Sequence, residues 1–150
     1  MTQRIWDHAM VGDRLGPTRF ALSTYRLVMA AGANRDFNSI HHNGAYARST
    51  GAPDMYANTF FLQGMWERTL RDYIGLAGAI HRLAGFRMSD FNCVGDTVSV
   101  HGEVTRKWRE GGLGLIDVSM WSENGRGVSV GPGGMTASLP MTNVTDPHVR

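Results

Sequence analysis

The chain has 150 residues, enough for one domain with a buried core and too few for two. Hydrophobic residues make up 42% and charged residues 19%, a balance that excludes disorder. Fifteen basic and 13 acidic side chains leave a formal charge of +2, too even for a nucleic-acid footprint, and no stripe of Lys or Arg interleaved with aromatics occurs.

Cys93 is the single cysteine, which excludes an internal disulfide and a multi-cysteine zinc site and suits a reducing compartment. The N-terminal MTQRIWDHAM carries charges where a signal peptide needs an apolar core. No stretch approaches the roughly 20 apolar residues of a membrane helix. The expectation is a cytoplasmic protein that binds neither nucleic acid nor membrane.

Residues 1–19 read as irregular, with Gly12, Gly16 and Pro17 as turn markers, and residues 20–22 as a short strand. Ser23 and Thr24 are good N-cap residues for a helix over 25–31 that ends at Gly32. Residues 34–43 are polar and form a loop, and 45–49 make one or two helical turns closed by Gly51 and Pro53. The strongest helix starts at Asn58–Thr59 and runs to Tyr73, with Gly75 as its stop. Apolar residues crowd its first two turns on every side, which predicts a helix wrapped by other structure. Phe60, Phe61, Trp66 and Tyr73 are therefore expected in the core.

Four strand-like runs follow, over 80–88, 97–108, 113–121 and 128–139. In the second, Val98, Val100, Gly102 and Val104 alternate with Ser99, His101, Glu103 and Thr105, the period of a half-buried strand. Gly111-Gly112 and Asn124-Gly125 are hairpin turns. Gly131-Pro132-Gly133-Gly134 matches a phosphate loop in composition alone; inside a strand with no helix after it, a bulge or kink is expected. Residues 141–150 show no period and are expected to be a loose tail. The whole is one α+β domain: a curved antiparallel sheet wrapped around one long helix, with a generic α+β sandwich as the open alternative.

Chemistry concentrates in residues 34–47, NRDFNSIHHNGAYA. Asp36 and His41 stand five apart with the small polar residues Asn38 and Ser39 between them. A carboxylate and an imidazole on one compact loop can share a substrate-sized space, and imidazole titrates near neutrality. Such a pair suits addition of water to a conjugated thioester, where one group activates water and the other delivers a proton to the α-carbon. The spacing alone fits a cap and a surface residue better than a catalytic pair. His41-His42 has no third ligand at supporting spacing, so no metal is expected.

Asp36-Phe37-Asn38-Ser39-Ile40-His41, followed by the small Ala47, resembles the hydratase motif of MaoC-like and (R)-specific enoyl-CoA hydratases, D-x-N-x-aliphatic-H. Val11-Gly12-Asp13 and Val94-Gly95-Asp96 resemble the two Gly-Asp turns common in that family, and the similarity spans roughly residues 10–140. Two departures stand out. Arg35 and Ser39 occupy positions where the family usually has Gly and Pro, and Asn58-Thr59 replaces the usual His-Gly at the start of the long helix. The variant pattern resembles the small MaoC-like subunit of actinobacterial steroid side-chain hydratases, which pairs with a second hot-dog chain.

The resemblance implies a single hot-dog domain over 1–150 and reversible hydration of a 2-enoyl-CoA to a 3-hydroxyacyl-CoA, extending to bulky, steroid-type acyl groups. His41 is the implied base or acid on water, Asp36 its partner in proton transfer, and the Thr59 N–H the oxyanion donor at a helix start. Asn58 and Asn38 are implied to line the substrate site. No metal or redox cofactor is implied; coenzyme A enters with the substrate, and Arg82, Arg87 and Arg106 are alternative holders of its phosphates. Two alternatives stay open: a hot-dog acyl-CoA thioesterase using Glu67 or Asp72 on the long helix, and a non-catalytic subunit of a heteromer. The partner is a second copy or another MaoC-like chain.

Overall fold

A computed structural model describes residues 2–142. Its frame is a five-stranded antiparallel sheet in the order β1-β3-β4-β5-β2, from β1 (Arg14–Ala21), β2 (Ala79–Ala84), β3 (Thr97–Glu110), β4 (Leu113–Asn124) and β5 (Gly127–Leu139). Three helices stand between β1 and β2: α1 (Thr24–Ala33), α2 (Gly44–Ser49) and α3 (Thr59–Ile74). This is the curved-sheet-and-helix arrangement expected, with α3 seated in the concave face. Among the described residues, no helix is long and apolar enough to cross a membrane.

The period-2 face of β3 is the sheet's inner face: Val98, Val100 and Val104 are fully buried, and Gly102 is buried between them. On α3 the buried set is Leu62, Met65, Trp66, Thr69, Leu70, Tyr73 and Ile74, an i, i+3, i+4 stripe that meets those valines. Trp66 is the anchor. Its ring is fully buried and its Nε1–H donates to Ser122 Oγ at 2.7 Å, so the indole polar atom is satisfied inside the core. Gly131 makes room for it, since a Cβ there would lie 3.1 Å from the Trp66 ring and 2.9 Å from the Met120 carbonyl oxygen.

Four expectations need correction. The helix is not wrapped on every side: Phe60 is 61% exposed and Phe61 only half-buried, because one curved sheet covers one face of α3 and leaves the other open. β1 begins at Arg14 rather than after an irregular segment. Gly16-Pro17 sits within it at a register shift between Leu15 and Thr18, which an edge strand tolerates because proline's missing N–H costs no ladder bond there. The first run after α3 ends at Ala84, and β2 crosses to pair with β5 instead of continuing the meander into β3. Thr142, assigned to the loose tail, is held by its N–H and hydroxyl to the Asp7 carboxylate at 2.9 and 3.2 Å. The rest of that expectation lies at 143–150, outside the described residues.

The end of α1 explains one departure from the family motif. Asn34 is the C-cap, the Arg35 N–H donates to Gly32 O at 3.1 Å, and the Asp36 N–H donates to Ala31 O at 2.9 Å. This pair of bonds is a Schellman motif, and it demands a left-handed residue at Arg35, which has φ of +55°. Glycine takes that conformation without a Cβ penalty; arginine does not. Arg35→Gly is expected to stabilise the fold by about 0.5–1 kcal/mol, once glycine's extra unfolded-state freedom is subtracted. Thermal unfolding would show this as a rise of roughly 1–4 °C for a domain of this size; an unchanged or lower midpoint contradicts it.

Candidate active site

The Schellman turn delivers Asp36 to the start of the polar loop, and a short 3₁₀ turn (Ser39–His41) delivers His41. Asn38 caps that turn: its Oδ1 accepts from the Ile40 N–H at 3.2 Å and its carbonyl accepts from the His41 N–H at 3.1 Å. Asn43 then caps α2 through the Tyr46 N–H at 3.0 Å. Ala47, the small residue of the motif, is fully buried, which leaves no room for a larger side chain under the loop.

Asp36 and His41 meet. His41 Nε2 lies 3.1 Å from Asp36 Oδ2, with the imidazole 8% and the carboxylate 31% exposed. The other ring nitrogen, Nδ1, lies 2.8 Å from the Tyr56 carbonyl oxygen. A carbonyl can only accept, so Nδ1 carries a hydrogen and the neutral ring presents a lone pair at Nε2. A lone pair faces a carboxylate oxygen favourably only when a proton lies between them. The geometry therefore allows the pair to share a proton on its Nε2–Oδ2 side, with the carboxylate edge open to solvent.

Tyr56 is the residue that sequence reasoning missed. Its N–H donates to the Ile40 carbonyl at 3.3 Å while its own carbonyl holds His41, and it bridges to Cys93 on the other side. Its ring packs edge-on to the His41 ring with centroids 5.3 Å apart. Burial chiefly, with smaller contributions from Cys93 and the Asp36 charge, pushes its phenol above the ordinary tyrosine range. Nothing in the period or spacing of MYAN marks this tyrosine, because its part is played by backbone atoms and by neighbours remote in sequence.

Three residues on from Tyr56, α3 begins. Asn58 is 3% exposed and acts as the N-cap, its Oδ1 accepting from the Phe61 N–H at 2.9 Å and from Asn34 Nδ2 at 3.2 Å. Its carbonyl accepts from the Leu62 N–H at 3.2 Å. The Thr59 and Phe60 N–H groups have no acceptor among the described residues, and Thr59 is exposed. Three residues span at most about 11 Å, so the free Thr59 amide stands within substrate length of the Tyr56 carbonyl that holds His41.

The other named residues fall elsewhere. Asn38 is exposed, and its carboxamide oxygen is engaged as the cap. The Asn58 carboxamide oxygen is used by the helix while its buried Nδ2 has no partner among the described residues, so the Asn58 Nδ2 and the exposed Thr59 amide are both left free. Glu67 and Asp72 lie in i, i+4 ion pairs with Arg71 (3.9 Å) and Arg68 (3.0 Å). His42 turns to the Phe37 carbonyl at 3.4 Å, and among the described residues no three His, Cys, Asp or Glu side chains converge. Arg82 and Arg87 are exposed, and Arg106 stacks over Trp108 at 4.3 Å. The two Gly-Asp turns share one design. Asp13 accepts from the Met10 N–H at 3.1 Å and Asp96 from the Cys93 N–H at 2.8 Å, each across a left-handed glycine.

No protein-family model matches the chain. Among curated proteins, it is 33% identical over 79 residues to the 3-oxo-4,17-pregnadiene-20-carboxyl-CoA hydratase beta subunit of Mycobacterium tuberculosis. That match covers 53% of this chain and spans 60% of the relative's length. Among solved structures, the chain is similar to a chain of the ChsH1-ChsH2 complex from Mycobacterium tuberculosis, with a TM-score of 0.79 and 28% identity over 87% of this chain and 98% of that one. The (R)-hydratase from A. caviae involved in PHA biosynthesis has the same fold at a TM-score of 0.79, with 20% identity over 89% of this chain and 98% of that one. So does R-hydratase PhaJ1 from Pseudomonas aeruginosa, at 0.81, with 18% identity over 91% and 86%. Loop motif, sheet order and similar structures agree on one architecture: the chain has the hot-dog fold of the MaoC-like hydratases it resembles.

Proposed function

We propose that this chain is a subunit of a cytoplasmic hydro-lyase that reversibly hydrates 2-enoyl-CoA thioesters to 3-hydroxyacyl-CoA. The observation that carries the reading is the Asp36–His41 contact at 3.1 Å, with His41 Nδ1 engaged by the Tyr56 carbonyl so that Nε2 faces the carboxylate. Hydration breaks the carbon–carbon π bond, places a hydroxyl on the β-carbon and a proton on the α-carbon. One member of the pair takes a proton from water as its oxygen attacks the β-carbon. The other delivers the shared proton to the α-carbon, and transfer across the contact restores the pair. Charge gathers meanwhile on the thioester oxygen, where the Thr59 N–H at the positive end of α3 stabilises it. Only protons and hydroxide move, so the reaction calls for no metal or redox group. Coenzyme A comes and goes as part of the substrate. Similarity to a relative named for a pregnadiene-carboxyl-CoA substrate extends the acyl range to bulky, steroid-type groups.

The partner is a second hot-dog subunit. In the single chain the open face of α3 exposes Phe60, and a groove of 510 Å³ runs from it past Gly64 to Leu83 and Met135. Beside that groove β2 is an edge strand, paired on one side only and mostly exposed. An unpaired edge next to exposed apolar side chains is what a second sheet and helix would cover. The similar ChsH1-ChsH2 structure is a complex of two different chains, which favours a heteromer with another MaoC-like chain over a homodimer.

Asp36→Asn and His41→Ala should each lower hydration of an enoyl-CoA by at least roughly two orders of magnitude in the active assembly, with the fold retained. Near-normal turnover in either variant removes that residue from the mechanism. Thr59→Gly keeps the amide and should retain appreciable activity, whereas Thr59→Pro lacks the N–H and should lose much of it, although its φ suits a helix start. Equal activity at equal folded fraction would show that this amide is not the oxyanion donor. Sedimentation at micromolar concentration should find an oligomer or, with a MaoC-like chain present, a heteromer; a stable, fully active monomer refutes the partner.

A further inference from the structure

The groups of the candidate site stand on two supports. His41 is fastened to the Tyr56 carbonyl, and the same stretch of chain opens α3 at Thr59, so imidazole and amide share one frame. Asp36 arrives on the other support. Its N–H is bound to Ala31 O at the end of α1. Between the supports the packing is open, because Met29, Ala30 and Ala33 of α1 face Phe60, Phe61 and Gly64 of α3 across a groove of 590 Å³. One tie across the gap is the Asp36–His41 contact itself, and that tie changes whenever a proton crosses it.

A second tie avoids the titrating groups. Asn34, two residues before Asp36, donates from Nδ2 to Asn58 Oδ1 at 3.2 Å. The same oxygen accepts from the Phe61 N–H at 2.9 Å. An uncharged carboxamide oxygen has two lone pairs, so Asn58 can cap α3 and take the second bond at once. The arrangement carries a cost, since Asn58 Nδ2 is buried without a partner among the described residues. Among those residues, the Asn34–Asn58 bond is the one hydrogen bond that runs directly from residues 31–37 to residues 58–62. Asn34 is itself exposed, and its backbone lies in the ordinary right-handed region, so the turn does not need asparagine there.

We propose that Asn34 is a positioning residue for hydration: through Asn58 it holds the turn that carries Asp36 against the frame that carries His41 and the Thr59 amide. The inference rests on the hydratase reading and adds what keeps the carboxylate in place while its proton is away. Two carboxamides suit the task, since neither titrates beside a pair that exchanges protons. With the bond removed, Asn58 still caps α3 through Phe61, and Asp36 keeps its place only through the contact that turnover disturbs.

The test is a double-mutant cycle on enoyl-CoA hydration by the active assembly, at equal folded fraction. Asn34→Ala should lower kcat about tenfold, inside the roughly hundredfold that a misplacement near 1 Å can cost. KM should stay within about twofold, as for an interaction that matters in the transition state alone. In an Asp36→Asn background, which lacks the carboxylate to be placed, Asn34→Ala should change kcat by less than about twofold. Losses that simply multiply in the double variant would show that Asn34 does not act through Asp36. An unchanged kcat with a lower thermal midpoint would leave the bond as a brace for the fold. Loss of the assembly in sedimentation would assign Asn34 to subunit contact. Each of these three overturns the proposal. Near-normal turnover in Asp36→Asn alone removes that carboxylate from the mechanism, and this proposal falls with it. An unmodified assembly that hydrates neither crotonyl-CoA nor 2-decenoyl-CoA overturns the hydratase reading itself.

Discussion

The hydrogen bond from His41 Nδ1–H to the Tyr56 carbonyl is the constraint on which the site depends. It selects the tautomer, turns Nε2 toward Asp36 and fastens the polar loop to the segment that enters α3. Tyr56 returns the link through its own N–H to Ile40, so the loop is clamped through two backbone groups rather than one side chain. A backbone acceptor is well suited to this task. It has no rotamer to lose and cannot titrate, so the imidazole keeps its orientation whichever member of the pair holds the proton.

The clamp works because both of its ends are anchored in the core. Ala47 buries α2 beneath the loop, and Met55, Ala57 and Asn58 are buried where the chain runs into α3. Residues 92–94 close that segment from the other side, through bonds from the Ala57 N–H to Asn92 O and from the Val94 N–H to Met55 O, both 2.9 Å. α3 is in turn pinned by Trp66, whose indole is enclosed by the sheet and satisfied by Ser122. The free amides at the helix start therefore hold a fixed position relative to His41.

The fold leaves one face of this arrangement open. A five-stranded sheet covers the side of α3 that carries Trp66 and Leu70 and cannot reach the side that carries Phe60 and Glu67. An exposed phenylalanine beside an unpaired strand edge costs a lone domain solubility, and its presence fits a chain whose apolar stripe is completed by another subunit. Arg35 belongs to the same economy of the loop. Its backbone adopts a glycine-like conformation because the Schellman turn that places Asp36 demands it, and the side chain is accommodated at a cost.

Local chemistry made much of this legible from the sequence. Ser23 and Asn58 as helix starts and Gly75 as a stop predicted two of the helices, and Gly51 and Pro53 the end of the short one between them, since capping and breaking are decided within a few residues. The alternation of Val98, Val100, Gly102 and Val104 identified the inner face of β3 for the same local reason. Asp36 and His41 were found by their spacing and family likeness, and a loop of that length could bring them together. What needed tertiary structure was everything that depends on remote partners. β2 joins β5 across the sheet, Phe60 faces outward, and the Asn58 carboxamide oxygen is consumed as a cap while the Thr59 amide stays free. Tyr56 becomes the hinge of the site through its main chain, and Arg126 reaches Asp90 and Asp96 from a hairpin 30 or more residues away. Sequence periodicity reports which way a side chain faces within its own element; which element stands opposite is set by the closure of the sheet around α3, and no window along the chain contains that information.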